Sequence, residues 1–224
     1  MKKIVIAFLL VISMVFLPAK VLSTKTVFLS ERNSFTVCID AGHGGIDGGA
    51  VGSCGIGESE INLDIAKKLK DIFTAHGIGV VLTRADSDGL YGLPTKGFKL
   101  RDLKNRVEIA ERANADILIS VHLNKYADSD RRGAQVFYEG ADERSKALAE
   151  SIQQSLNDMD GAPRKYTPLK GDYYILNETT MPAVICECGF LSNPEDEALL
   201  LTEDYRLSLA DAIFAGVIDF FVTA

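Results

Sequence analysis

The chain is poor in several of the residues that most often reveal chemistry. Its 224 residues include no tryptophan, three histidines, four cysteines and six prolines. Four cysteines are too few for a disulfide-built scaffold, and for an exported chain they leave two bridges, in three connectivities, or free thiols open. Acidic residues outnumber basic ones by 31 to 24, a formal charge of −7 that argues against nucleic acid or an anionic membrane surface as a partner. There is no Gly-x-Gly-x-x-Gly, no Gly-Lys-Ser/Thr and no His-Glu-x-x-His, which excludes the usual phosphate cradles and the single-helix metal motif. Repeats, low-complexity tracts and inter-domain linkers are also missing.

What is present begins with Met1-Lys2-Lys3, then Ile4 to Leu17, apolar except for Ser13, then Pro18-Ala19-Lys20. This is a secretory signal pattern, with Val21 and Ser23 suited to cleavage before Thr24. The run is short of the roughly 20 residues of a spanning helix, yet an uncleaved anchor, tethering the chain through residues 4–17, stays open. The expectation is a signal peptide or anchor over 1–23 and one catalytic domain over 24–224, working outside the cytoplasm.

The remainder alternates strands and helices. Strands are expected over Thr36–Asp40, Gly79–Arg84, Ile117–His122, Gly133–Glu139 and Ala183–Cys188, with a further extended segment over Tyr174–Asn177. Helices are expected near Ser59–Ala75, Leu100–Ala113, Asp142–Asn157 and Tyr205–Phe221, and Gly161–Lys170 reads as loop. This order implies a three-layer α/β fold, a mixed, mostly parallel sheet flanked by helices. Alternation in the last main strand puts Cys186 and Cys188 on one face and Glu187 on the other, and buried thiols are favoured for most of the cysteines.

With so few histidines, the two at strand ends stand out. His43 lies in Asp40-Ala41-Gly42-His43-Gly44-Gly45, a glycine-rich loop straight after a strand, and His122 ends another strand. Ligands in open α/β sheets bind beyond such carboxyl ends. Glu58 falls in register with the stripe Ile61, Ile65, Leu69, Ile72 and Phe73, so its carboxylate faces inward, where a cation would neutralise it. Two histidines, one glutamate and an open fourth position suit a catalytic Zn2+, although these ligand types accommodate other transition metals. Glu187, the one ionisable residue in an apolar strand, is the candidate general base. Asn124 and Asp40 are candidates for contacting substrate or supporting the ligands. His76, before Gly77, reads as a helix cap.

The motifs VCIDAGHGGIDGGAVG, GESEINLDIA, VVLTR, ISVHLN and PAVICECGFLSN run in order from Val37 to Asn193. Together they resemble the zinc-dependent N-acetylmuramoyl-L-alanine amidases of the type called Amidase 3. The resemblance implies that His43, Glu58 and His122 hold zinc, that Glu187 is catalytic, and that the substrate is peptidoglycan, cut between the lactyl group of N-acetylmuramic acid and L-alanine. Ala41, Ser59 and Leu123 stand where the family often has proline, lysine and alanine. Leu123 to Arg132 is too short for the regulatory helix of division-type relatives. The runs IDGGAVG and CECGFLSNPED most resemble the small single-domain sporulation and germination amidases, which implies a role in making muramic-δ-lactam of the spore cortex. A vegetative wall-remodelling amidase, a zinc peptidase of the wall and a silent wall-binding module are the alternatives. An activator protein stays open, and the sequence sets no oligomeric state.

Overall fold

The computed structural model describes residues 35–223, so the readings of 1–23 as a signal and of 4–17 as a tether lie outside the described residues. The element order is β1 (Thr36–Ala41), α1 (Glu58–Ala75), β2 (Gly79–Leu82), α2 (Phe98–Arg112), β3 (Ile117–Asn124), β4 (Gln135–Tyr138), α3 (Glu143–Asn157), β5 (Leu169–Lys170), α4 (Tyr174–Glu178), β6 (Ala183–Phe190), α5 (Pro194–Leu200) and α6 (Glu203–Thr223). One six-stranded sheet runs β2-β1-β3-β6-β4-β5. β2, β1, β3 and β6 are parallel neighbours, while β4 joins β6 antiparallel. The centre of the sheet is covered on both faces, which is why β1, β3 and β6 read as continuous apolar runs rather than alternating ones.

Register decides what each face carries. Cys38 pairs with Leu118, Leu118 with Ala183, and His122 with Glu187, so these residues share one face. On that face Cys38, Leu118, Ala183 and Ile185 pack with Ala110 of α2 and with Ile175 and Leu176 of α4. The opposite face is covered by α1 and α3, with Ile61, Ile65, Leu69 and Phe73 of α1 and Leu148 and Ile152 of α3 buried. α6 packs across both α1 and α3. Among the described residues no helix is long and apolar enough to cross a membrane.

Three details differ from the sequence reading. Tyr174–Asn177 is not extended but the helix α4, begun where the amides of Leu176 and Asn177 both reach Tyr173 O, at 3.0 Å each. Adjacent Ile175 and Leu176 can both enter the core from a helical turn, whereas a strand would send them to opposite faces. The expected loop 161–170 ends in the two-residue strand β5, paired to β4. α5 was not expected; Asn193 caps it by accepting from the Glu195 and Asp196 amides, with Pro194 at its start. All four cysteines are free, with Cys38, Cys186 and Cys188 buried and Cys54 exposed. His76 closes α1, its Nδ1 lying 2.8 Å from Ile72 O.

Candidate active site

The site is built over the carboxyl edge of β1, β3 and β6. At the end of β1 the chain turns sharply, and His43 adopts φ 62, a left-handed conformation that costs a non-glycine residue about 1–3 kcal/mol. Two buried arginines hold that turn. Arg106 Nη1 donates to Ala41 O at 2.7 Å and its Nη2 to His43 O at 2.6 Å. Arg84 Nε donates to Ala41 O at 2.8 Å and its Nη2 to Gly42 O at 3.0 Å. The carbonyls of three successive residues are thus drawn inward, leaving the His43 imidazole on the outer side of the turn.

Asp40 anchors Arg106. It is 1% exposed, receives Arg106 Nη1 at 2.7 Å and accepts from Thr83 Oγ1 and Ser120 Oγ at 2.6 Å each. Burial alone would raise its carboxyl, but the Arg106 charge and these hydroxyls outweigh it and hold the carboxyl at about 2. Arg84, by contrast, is pushed down to about 10 by burial and by the charge of Arg106. Asp40 therefore lies buried beneath the site, with its carboxylate turned to Arg106, Thr83 and Ser120.

Glu58, the first residue of α1, is 3% exposed. Its Oε1 lies 3.3 Å from His43 Nε2 and 3.0 Å from His122 Nδ1. The carboxylate also accepts from Leu123 N at 3.0 Å, from Ala50 N at 2.8 Å and from Asn62 Nδ2 at 3.3 Å. Burial raises Glu58, yet the two imidazoles more than compensate and hold it well below the usual carboxylate range. One ligand atom from each of His43, Glu58 and His122 lies within 4.8 Å of the other two. Asp47 Oδ2 lies 3.3 Å from His43 Nδ1, and Lys99 Nζ 3.0 Å from Asp47, so the outward nitrogen of the imidazole is oriented by a carboxylate.

Shape supports the same reading. A Cβ at Gly42 would stand 2.3 Å from the His122 ring, and one at Gly49 would stand 2.5 Å from Glu58 Oε2. Only glycine lets the backbone close on these three side chains. Two neutral-capable imidazoles and a carboxylate converging from separate elements form a possible metal site, and the donor set fits a first-row transition metal.

Glu187 stands beside this cluster, opposite His122 in the β3–β6 ladder. Its Oε2 is buried and has no hydrogen-bond partner among the described residues. Burial, with a further rise from the Glu58 carboxylate and opposition from His122 and His43, pushes its carboxyl up to about 7. Asn124 closes β3, where its carbonyl accepts Leu191 N at 2.8 Å. The structure therefore brings His43, Glu58, His122 and Glu187 together, puts Asp40 beneath them and leaves Asn124 at the rim. Asn62, Asp47, Arg84 and Arg106 were not singled out from sequence. Arg84 at the end of VVLTR was the readable signal, since an arginine closing an apolar strand needs a partner.

Residues 37–219 match the family described as N-acetylmuramoyl-L-alanine amidase (Amidase_3). The chain belongs to the N-acetylmuramoyl-L-alanine amidase family. It is 34% identical over 189 residues to the germination-specific N-acetylmuramoyl-L-alanine amidase of Bacillus subtilis (strain 168), covering 83% of this chain and 79% of that one. The solved structure of the CwlD amidase from Clostridioides difficile, in complex with the GerS lipoprotein, superposes with a TM-score of 0.79 at 36% identity, covering 85% of this chain and all of that one. The catalytic domain of CwlV from Bacillus (Paenibacillus) polymyxa var. colistinus gives 0.74 at 34% identity, covering 85% and 99%. This amidase hydrolyses the N-acetylmuramoyl-L-alanine amide of peptidoglycan, a substrate outside the cytoplasm.

Asp40→Asn should destabilise this amidase by about 3 kcal/mol at neutral pH, because it leaves the buried Arg106 without its innermost countercharge. The folded carboxyl titrates at about 2 against its ordinary 3.8. Its contribution is complete above pH 4 and fades as the pH falls toward 2. Urea unfolding at pH 7, 4 and 3 should show the wild type losing stability over that window and the variant losing less.

Proposed function

We propose that His43, Glu58 and His122 hold one Zn2+ and that Glu187 carries the proton during hydrolysis. The observation that supports the second half is the buried, unpartnered Glu187 Oε2 beside the three converging ligand atoms. A zinc ion bound there supplies a Lewis acid for the scissile carbonyl and makes water acidic enough to attack near neutral pH. Glu187 takes a proton from the attacking water, whose oxygen bonds to the lactyl carbonyl carbon. It then delivers that proton to the alanine nitrogen as the C–N bond breaks, leaving a muramic carboxylic acid, which keeps the second water proton, and a free amine. Burial raises the Glu187 carboxyl above its ordinary value, which suits a group that both accepts and returns a proton. Asp47 keeps the ligating nitrogen of His43 turned inward, and Arg106 and Arg84 hold the backbone beneath it.

The physiological setting proposed is the spore cortex, where removal of the peptide leaves the muramic acid that becomes muramic-δ-lactam. The likeness to a germination-specific amidase and to CwlD supports this. CwlD was solved with a lipoprotein, and a protein activator is proposed here by analogy. A cleaved signal over 1–23, or a tether through 4–17, would place the domain outside the membrane.

Glu187→Gln should retain one equivalent of zinc by metal analysis while turnover on peptidoglycan falls about 10²–10⁴-fold. Wild-type turnover in that variant would remove Glu187 from the mechanism. Chelation should abolish release of stem peptides beginning with alanine, followed by mass spectrometry, and added zinc should restore it; His43→Ala should lose both metal and activity. Spores of a strain lacking this chain should contain no muramic-δ-lactam on muropeptide analysis, whereas an unchanged cortex would point to vegetative wall remodelling.

A further inference from the structure

Beyond Glu187, away from the three ligands, the same face of the sheet continues across β4 and β5. Gln135 is paired with Glu187 and Phe137 with Ile185, and Leu169 is paired with Phe137. These positions share the Glu187 side of the sheet, and Phe137, as a diagonal neighbour, lies about 7–8 Å from Glu187 by backbone spacing. Tyr173 folds over this edge. Its ring meets Phe137 edge-on with centroids 5.7 Å apart, and Gly171 makes room for it, since a Cβ there would stand 2.4 Å from the ring. Leu169 is 45% exposed and Tyr173 38%. Burial and the neighbouring Glu187 carboxylate both push the Tyr173 hydroxyl above its usual value, which places it within electrostatic reach of that residue.

We propose that Phe137, Leu169 and Tyr173 form a shelf that holds the leaving stem peptide. The inference rests on the role of Glu187 given above. A group that protonates the departing alanine nitrogen must stand next to it, so the surface beyond Glu187 faces the leaving group rather than the acyl half. The shelf is apolar where the alanine methyl and the adjoining backbone would lie. These three residues are therefore positioning and specificity residues, binding the half of the substrate that departs.

The test is affinity for the released peptide itself. Calorimetric titration of the zinc-loaded protein with the free tripeptide L-alanyl-D-glutamyl-diaminopimelate should show binding weakened about tenfold in Tyr173→Ala. Leu169→Asp, at an exposed position, should do the same if Tyr173→Ala folds poorly. Both should raise KM far more than they lower kcat, with zinc content unchanged. Unchanged peptide affinity in both variants would overturn the shelf, as would a defect that grows with glycan length at constant peptide, which would put sugars there instead. Full turnover in Glu187→Gln would instead undermine the assigned base; an inert Glu187→Gln with unaltered peptide binding in the shelf variants would remove only the shelf.

Discussion

The buried ion pair between Asp40 and Arg106 is the interaction on which the site depends. A carboxylate in the middle of a sheet face is costly unless it is paired and hydrogen-bonded. Here one guanidinium and two hydroxyls satisfy it, and the same guanidinium still has donors left for the carbonyls of Ala41 and His43. One charge pair thereby turns a strand end into a fixed, strained turn with an imidazole on its outer side. Arg84, with carbonyl partners from Ala41, Gly42, Ser59 and Asp86, completes the lining and ties the turn to the start of α1, where Glu58 sits.

The two glutamates of the site show how position alone separates like residues. Glu58 is encircled by imidazoles and amides and is held ionised. Glu187 has no donor to its inner oxygen, and burial pushes its carboxyl up to about 7. Neighbouring carboxyls are thereby pushed in opposite directions, one held ionised and the other raised. Parallel pairing of β3 and β6 sets Glu187 directly opposite His122, and burial raises its carboxyl against the opposing influence of that imidazole.

Much of this was legible in the chain. Continuous apolar runs marked β1, β3 and β6, and the helical stripe after the glycine loop placed Glu58 inward, because periodicity records which face is buried. The order of the elements placed the cluster at the carboxyl edge. What escaped notice was decided by long-range partners. Tyr173-Tyr174-Ile175-Leu176 has the composition of a strand, and only the core waiting for both Ile175 and Leu176 makes it helical. β5 has two residues and exists because β4 offers it an edge. Asn62 looked like one more polar residue on α1; its amide is buried against Glu58 and Gly42 O. α5 did carry a local signal, Asn193 followed by Pro194, Glu195 and Asp196, which is a capped helix start that short length concealed.

The four free cysteines have a consequence for where such a protein can work. The thiols of Cys38, Cys186 and Cys188 are buried, and burial lifts all three far above the range in which a thiolate forms. Without thiolate there is neither exchange nor easy oxidation. The core is therefore indifferent to the redox state of its surroundings, and the domain needs no oxidase or isomerase to reach its fold. An exported hydrolase of this design can mature in a reducing niche as readily as in an oxidising one, with Cys54 as the sole thiol that registers the difference.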